Sequence, residues 1–282
     1  MGFRISLDPQ LFLNRVDYNS YLRGLASTTT AFVSVKDIES MRRDGASQGQ
    51  LEMALLGDTS LIAILRGAKS KRNVIAYEDA DIRVTAVAHD YAFSHQAFAQ
   101  VDKMQSLVGL EDTLLRGRTP YSLPRLPPAV FQYHVDGNTF TALYVPPIVE
   151  IIPAGKFETV LDVVRKRIAA GESLDLDVHN GHPRMSLAAL LADAERLLAG
   201  RETIPTVVDG THRTLLAYNL GMEYRAVLIH GSKRSASSLP LRFENITLTN
   251  TKPKRREDGY PGHNEQAEMN GWLNWKELGI DN

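Results

Sequence analysis

Cysteine is absent from the 282-residue chain. That absence excludes thiol nucleophiles, disulfide scaffolds, iron–sulfur clusters and zinc ribbons, and leaves oxygen, nitrogen or a bound metal to carry any chemistry. Charge imbalance is lacking too: 32 Lys+Arg face 33 Asp+Glu, so no global field gathers a polyanion such as DNA. No apolar run approaches the roughly 20 residues of a membrane span, and the opening stretch Met1 to Ser6 carries no signal-peptide core. A cytoplasmic protein with no membrane partner is the expectation. What is present is an ordinary globular composition, 43% hydrophobic and 23% charged, enough for one large domain or two modest ones.

Proline punctuates the chain most densely over 116–128, where four of thirteen residues are proline and the backbone is pushed toward extended geometry. This predicts a connection between two parts. Before it, Ala31 to Val35, Thr59 to Leu65, Asn73 to Tyr77 and Ile82 to Ala88 read as strands, and Val35 to Arg43 and Gln48 to Leu56 as helices. Residues 1–128 are therefore expected to be an α+β region that the pattern does not assign to a fold. Beyond it, Phe131 to Val135 and Thr139 to Val145 flank Asp136-Gly137-Asn138 as a hairpin, because the Asp-Gly pair supplies positive φ. Ile148 to Ile152 reads as a strand and Phe157 to Ala170 as a helix stopped by Gly171. A second helix starts at the N-cap Ser186 and stops at Gly200, followed by a strand at Thr206 to Val208, a helix at Thr214 to Leu220 closed by Gly221, and a strand at Ala226 to His230. The fold class is α+β, with a second domain over 129–240 and a polar, partly basic tail over 241–282.

Chemistry concentrates in one turn. Thr206-Val207-Val208 runs into Asp209-Gly210-Thr211-His212-Arg213 and on into the following helix. A glycine there lets the backbone approach a ligand, and the helix start presents unpaired amides and a positive dipole end, which suits an anion. Arg213 offers a planar fork matched to phosphate oxygens, His212 a proton near neutral pH, and Thr211 a hydroxyl. Asp209 would repel a phosphate unless a metal ion or an acceptor proton lies between them, which is the arrangement of a phosphoryl-transfer site. Taken alone, the same residues have a plain structural explanation: Asp209 as a helix cap, His212 as a surface residue and Arg213 as the partner of a nearby carboxylate.

The segment Pro205 to Ile229 resembles the signature of the ParB/sulfiredoxin-like superfamily, in which a strand leads to an Asp-Gly-x-x-Arg turn on a nucleotide phosphate. It looks most like the ParB-like free serine kinases, whose Asp-Gly-His-Thr-Arg is matched here with His and Thr exchanged and with Leu216-Ala217-Tyr218 following. The resemblance covers about Pro146 to Gly231, and its 25-residue core carries it. It implies a ParB-like domain in the C-terminal half and a Mg²⁺-dependent phosphotransferase or nucleotide hydrolase acting with ATP or another nucleotide on a small hydroxyl acceptor. Gly210, Thr211, His212 and Arg213 would hold the nucleotide phosphates, Asp209 would bind the metal, and Asp209 and His212 would be catalytic. The family also implies an upstream glutamate as base, for which Glu150 and Glu158 are the choices and Glu158, at a strand end, is preferred. Lys156 in the same loop could reach a phosphate, with a solvated lysine as the alternative reading. The absence of cysteine excludes sulfiredoxin activity. The alternative is a nucleotide-sensing, DNA-associated regulator of ParB type without a helix-turn-helix domain, leaning on the basic cluster Lys252 to Arg256; DNA is the less favoured partner.

Three other patterns are set aside. Arg66-Gly-Ala-Lys-Ser70 breaks the phosphate-loop triplet with Ala68. His179 and His182, near Asp175 and Asp177, have metal-like spacing but nothing that fixes ligand geometry. His89-Asp90 and Tyr91 to His95 read as core packing around a satisfied histidine.

Overall fold

The computed structural model describes residues 3–6, 30–32, 38–41, 50–67, 77, 79–116, 119–173, 186–250, 253 and 256–264. It is a mixed α+β architecture with two five-stranded sheets and one two-stranded ribbon among the described residues. The first sheet takes β1 (Phe3–Ser6), β2 (Thr30–Phe32), β3 (Gln50–Leu55), β7 (Ala129–Val135) and β8 (Asn138–Tyr144) in the order β1-β3-β7-β8-β2. The second takes β4 (Asp81–Val87), β5 (Phe93–Ser94), β9 (Ile148–Pro153), β10 (Thr203–Asp209) and β11 (Tyr224–His230) in the order β4-β11-β9-β10-β5. The ribbon pairs β6 (Phe98–Gln100) with β12 (Thr247–Thr249). The helices are α1 (Asp58–Gly67), α2 (Val101–Leu110, running into a π turn at Glu111–Leu115), α3 (Glu158–Ala169), α4 (Leu187–Leu198), α5 (Thr211–Asn219) and the short α6 (Arg256–Gly259).

From β7 to β11 the local signals and the structure agree. Asp136 and Gly137 take φ 49° and 76° in the β7–β8 hairpin, and Gly171, Gly200 and Gly221 have positive φ after α3, α4 and α5. Ser186 caps α4, its hydroxyl accepting the Ala189 amide at 3.1 Å. Two segments upstream differ from expectation. Gln48 to Leu56, rich in helix formers, contains the strand β3: Leu51 and Met53 alternate into the core between β1 and β7, so pairing on both edges overrides propensity. Thr59 to Leu65, read as a strand, lies within the helix α1, which starts at Asp58 and buries Leu61 and Leu65 one turn apart. Asn73 to Ala76 falls outside the described residues.

The proline-rich stretch does not separate two sheets. β3 pairs with β7 and β2 with β8 across it, and β4 and β5 join the second sheet. Long-range pairing, which composition does not encode, sets this layout. One core, including Leu61, Tyr77, Val130, Ile148, Val208 and Val227, brings residues of both sheets together. The tail reading also changes over 256–264. Asp258 is fully buried and pairs with Arg167 of α3 at 2.9 Å, and the Gly259 carbonyl accepts the Ala97 amide. A Cβ on Gly262 would fall 2.5 Å from Val160, so this strap lies flat against α3. The basic cluster at 252–256 lies mostly outside the described residues.

Below the second sheet, Glu150 of β9 is 1% exposed and Arg234 3%. Arg234 Nη1 donates to Glu150 Oε1 at 2.6 Å, the Tyr77 hydroxyl donates to the same oxygen at 2.5 Å, and Ser232 Oγ to Oε2 at 3.0 Å. Burial and the adjacent carboxylate push the Tyr77 phenol far up and keep it protonated. Lys156 Nζ donates to the Ser232 and Arg234 carbonyls, so the cluster clasps the loop after β11 onto β9. Arg234→Met would leave the Glu150 carboxylate buried without its cation and is expected to lower the free energy of unfolding in urea by about 3–5 kcal/mol. A loss under about 1 kcal/mol would contradict the clasp.

Candidate functional site

β10 ends in a distortion that aims the turn. Its register against β9 shifts between Val207 and Asp209, a bulge that bends the strand immediately before Gly210. The buried His95 donates from Nδ1 to the Val207 carbonyl at this point. Gly210 then takes φ 87°, where glycine alone sits without strain, and a Cβ there would lie 2.9 Å from Pro147 Cα. α5 starts directly after it, so the first amides of the helix have no partner within the helix.

These amides open into a cleft of about 490 Å³. The turn 208–213 forms one wall; Lys103, Ser106, Leu107 and Leu110 of α2 form another; His95, Gln96 and Tyr260 complete it. Thr211 is buried, and its Oγ1 has no hydrogen-bond partner among the described residues although Thr211 lines the cleft. An unsatisfied buried hydroxyl costs about 1–3 kcal/mol.

Arg213 braces the turn. Its guanidinium donates to the Val145 carbonyl and, at 3.2 Å, to Asp209 Oδ2, and it lies over the Tyr144 ring with Cζ 5.3 Å from the centroid. Two of its donors are thus engaged within the protein, and Arg213 is among the residues that line the cleft. Asp209, 41% exposed, is the one carboxylate among the described lining residues. His212 Nε2 accepts the Gln100 amide at 3.1 Å, which ties α5 to the start of α2. Burial, with Lys103 and Arg213 nearby, lowers its pKa to about 4, so it is a neutral ring at pH 7 and contributes no positive charge toward a phosphate. Burial also lowers His95 to about 4, with Arg234 adding to the effect against the Val207 hydrogen bond.

The structure therefore gathers Asp209, Gly210, Thr211, His212 and Arg213 on one cleft. It does not bring either glutamate there: Glu158 is exposed in the first turn of α3, and Glu150 is sealed in the ion pair with Arg234. Lys156 is turned onto the loop after β11. His95 is the buried, hydrogen-bonded histidine that its sequence context predicts. Lys103, Leu107, Gln96 and Tyr260 escape sequence reasoning because strand pairing and the strap deliver them from outside the turn; the Gly259 and Gly262 pair is the one local sign that 256–264 packs closely. His179 and His182 lie outside the described residues, and no group of three or more His, Asp or Glu is placed to hold a metal among the described ones. No helix among the described residues is long and apolar enough to cross a membrane. Comparison of the chain with protein-family models, curated proteins and solved structures returned no match.

Two neutral imidazoles, His95 buried and His212 half-buried, give a pH signature. Free histidine titrates near 6.5, so between pH 6.5 and 4 the unfolded chain binds more protons than the folded one, and stability falls as pH drops through that window. The unfolding free energy in urea should decrease from pH 7 to pH 5, with a shallower decrease in His95→Asn. A wild-type protein equally stable at both values would contradict the neutral, buried state.

Proposed function

We propose that this cleft binds a phosphorylated small molecule, with a nucleotide as the leading class, and that the protein is a Mg²⁺-dependent phosphotransferase or nucleotide hydrolase built on a ParB/sulfiredoxin-like domain. The observation that carries the reading is the start of α5: residues 211–213, whose amides have no partner within the helix, line the cleft directly after Gly210, and the buried Thr211 hydroxyl beside them has no hydrogen-bond partner among the described residues. The β10–turn–α5–β11 succession supports the fold reading. The amides of 211–213 and the Thr211 hydroxyl receive phosphate oxygens, and Lys103 on the facing wall adds positive charge.

A nucleotide-bound Mg²⁺ takes one or two protein carboxylates and several waters besides phosphate oxygens, so a lone carboxylate fits it. Asp209 has Oδ2 committed to Arg213 and presents Oδ1, the donor such an ion requires. When bound, the ion would neutralise charge on the transferring phosphate. Arg213 fixes the carboxylate's orientation, and Asp209 alone among the described lining residues offers a carboxylate to an acceptor hydroxyl. His212 acts as a neutral brace between α5 and α2.

Thr211→Val removes the hydroxyl at constant shape. It is expected to weaken nucleotide binding with Mg²⁺ roughly 10- to 100-fold in calorimetric titration, the worth of a hydrogen bond to a charged group, and to leave the melting temperature unchanged or raised. Unchanged affinity, or a marked loss of stability, would show that the hydroxyl serves the fold and not a ligand.

A further inference from the structure

One wall of the cleft comes from the strap at 256–264, which the phosphate-binding turn does not require. The strap is held from beneath and from both ends. Asp258 pairs with Arg167, itself bound to Glu172 at 3.1 Å; the Leu239 amide donates to the Pro261 carbonyl at 2.8 Å; and the Asn264 amide donates to the Ser237 carbonyl at 3.0 Å. Between these anchors only Tyr260 reaches the cleft among the described residues. Its hydroxyl accepts Gln96 Nε2 at 2.7 Å, and its ring lies 5.2 Å from the His95 ring at a 33° tilt. Tyr260 is half-buried, its ring also 6.4 Å from that of His263, and it lines the cleft together with Leu107 and Leu110 of the α2 wall.

We infer that Tyr260 is a specificity-determining residue: its ring selects ligands that carry a flat, unsaturated ring as well as a phosphate, and the Asp258–Arg167 pair positions it. This rests on the phosphate-binding reading of the α5 turn. A ring fixed by a buried ion pair and a side-chain hydrogen bond loses little freedom when a ligand ring stacks on it, so the contact converts directly into affinity. The neighbouring His95 imidazole is uncharged at pH 7, whereas the α5 end attracts anions. The cleft thus discriminates by shape on one side and by charge on the other.

The test uses the full chain, the four common nucleoside triphosphates, ribose 5-triphosphate and tripolyphosphate, each with Mg²⁺, in calorimetric titrations. The wild-type protein is expected to bind at least one nucleoside triphosphate about 10-fold or more tightly than ribose 5-triphosphate, the usual worth of a base stacked on an aromatic ring. Tyr260→Leu is expected to erase that preference while keeping tripolyphosphate affinity, which also reports that the variant is folded; Tyr260→Phe should retain the preference. Should Tyr260→Leu fail to fold, the wild-type comparison of ring-bearing and ringless triphosphates still decides. Equal wild-type affinities for both, or an undiminished preference in Tyr260→Leu, overturns the ring assignment alone. Wild-type protein that binds neither nucleotide nor tripolyphosphate overturns the phosphate reading and this inference with it.

Discussion

The close approach of Gly210 to Pro147 governs how the second half of the molecule works. Pro147 is held in place because its carbonyl accepts the Val227 amide of β11, and the preceding Val145 carbonyl accepts the Arg213 guanidinium. The loop between β8 and β9 therefore lies directly under the turn, and a side chain at 210 would collide with it. With positive φ at Gly210 and a bulge just before it, the direction of α5 is fixed, and with it the aim of its first amides. The Arg213–Asp209 bridge adds little energy at its exposure, but it fixes one carboxylate oxygen of Asp209.

Everything else in the cleft depends on how the two sheets interlock. β5 pairs in parallel with β10 and carries the chain from Phe93 into His95, Gln96 and then α2, so the N-terminal region supplies the wall opposite the turn. His212 stitches that wall to α5 through the Gln100 amide. His95 braces the bulge from inside and, with Ser238 Oγ donating to its carbonyl, connects the cleft to the loop clasped by Glu150 and Arg234. Neutral imidazoles serve here as hydrogen-bonding posts: protonation would remove the acceptor at His212 Nε2, and at His95, whose Nδ1 donor would survive, it would cost the burial of a charge.

The sequence is most readable where structure is decided locally. The Asp136-Gly137 hairpin, the Ser186 cap and the glycine stops after α3, α4 and α5 need only their own neighbours, and the succession from β9 to β11 follows from them. β3 and α1 defeat local reading because their fate is decided by partners: Leu51 and Met53 are strand residues only once β1 and β7 flank them, and β-branched Thr59 and Ile62 are helical because Leu61 and Leu65 must reach one core. The turn 209–213 can be found as a motif, and the pairing of Arg213 with a nearby carboxylate is among its expected readings, yet the hydrogen bond of Arg213 to Val145 is not, since Val145 is 68 positions away. Tyr260 is hidden for a similar reason. A polar, glycine-containing stretch looks solvated until the burial of Asp258 against Arg167 is seen.

The proposed working surface is the row of amides that follows Gly210, with the protein's own cations bracing that surface as much as facing a ligand. The most direct measurement is the set of backbone amide shifts of isotope-labelled protein titrated with nucleotide and Mg²⁺. Shifts largest at Thr211, His212 and Arg213, extending to Lys103 and Leu107 across the cleft, are the predicted result. Shifts centred elsewhere in the chain, or none at millimolar nucleotide, would contradict the assignment of the cleft to phosphate binding.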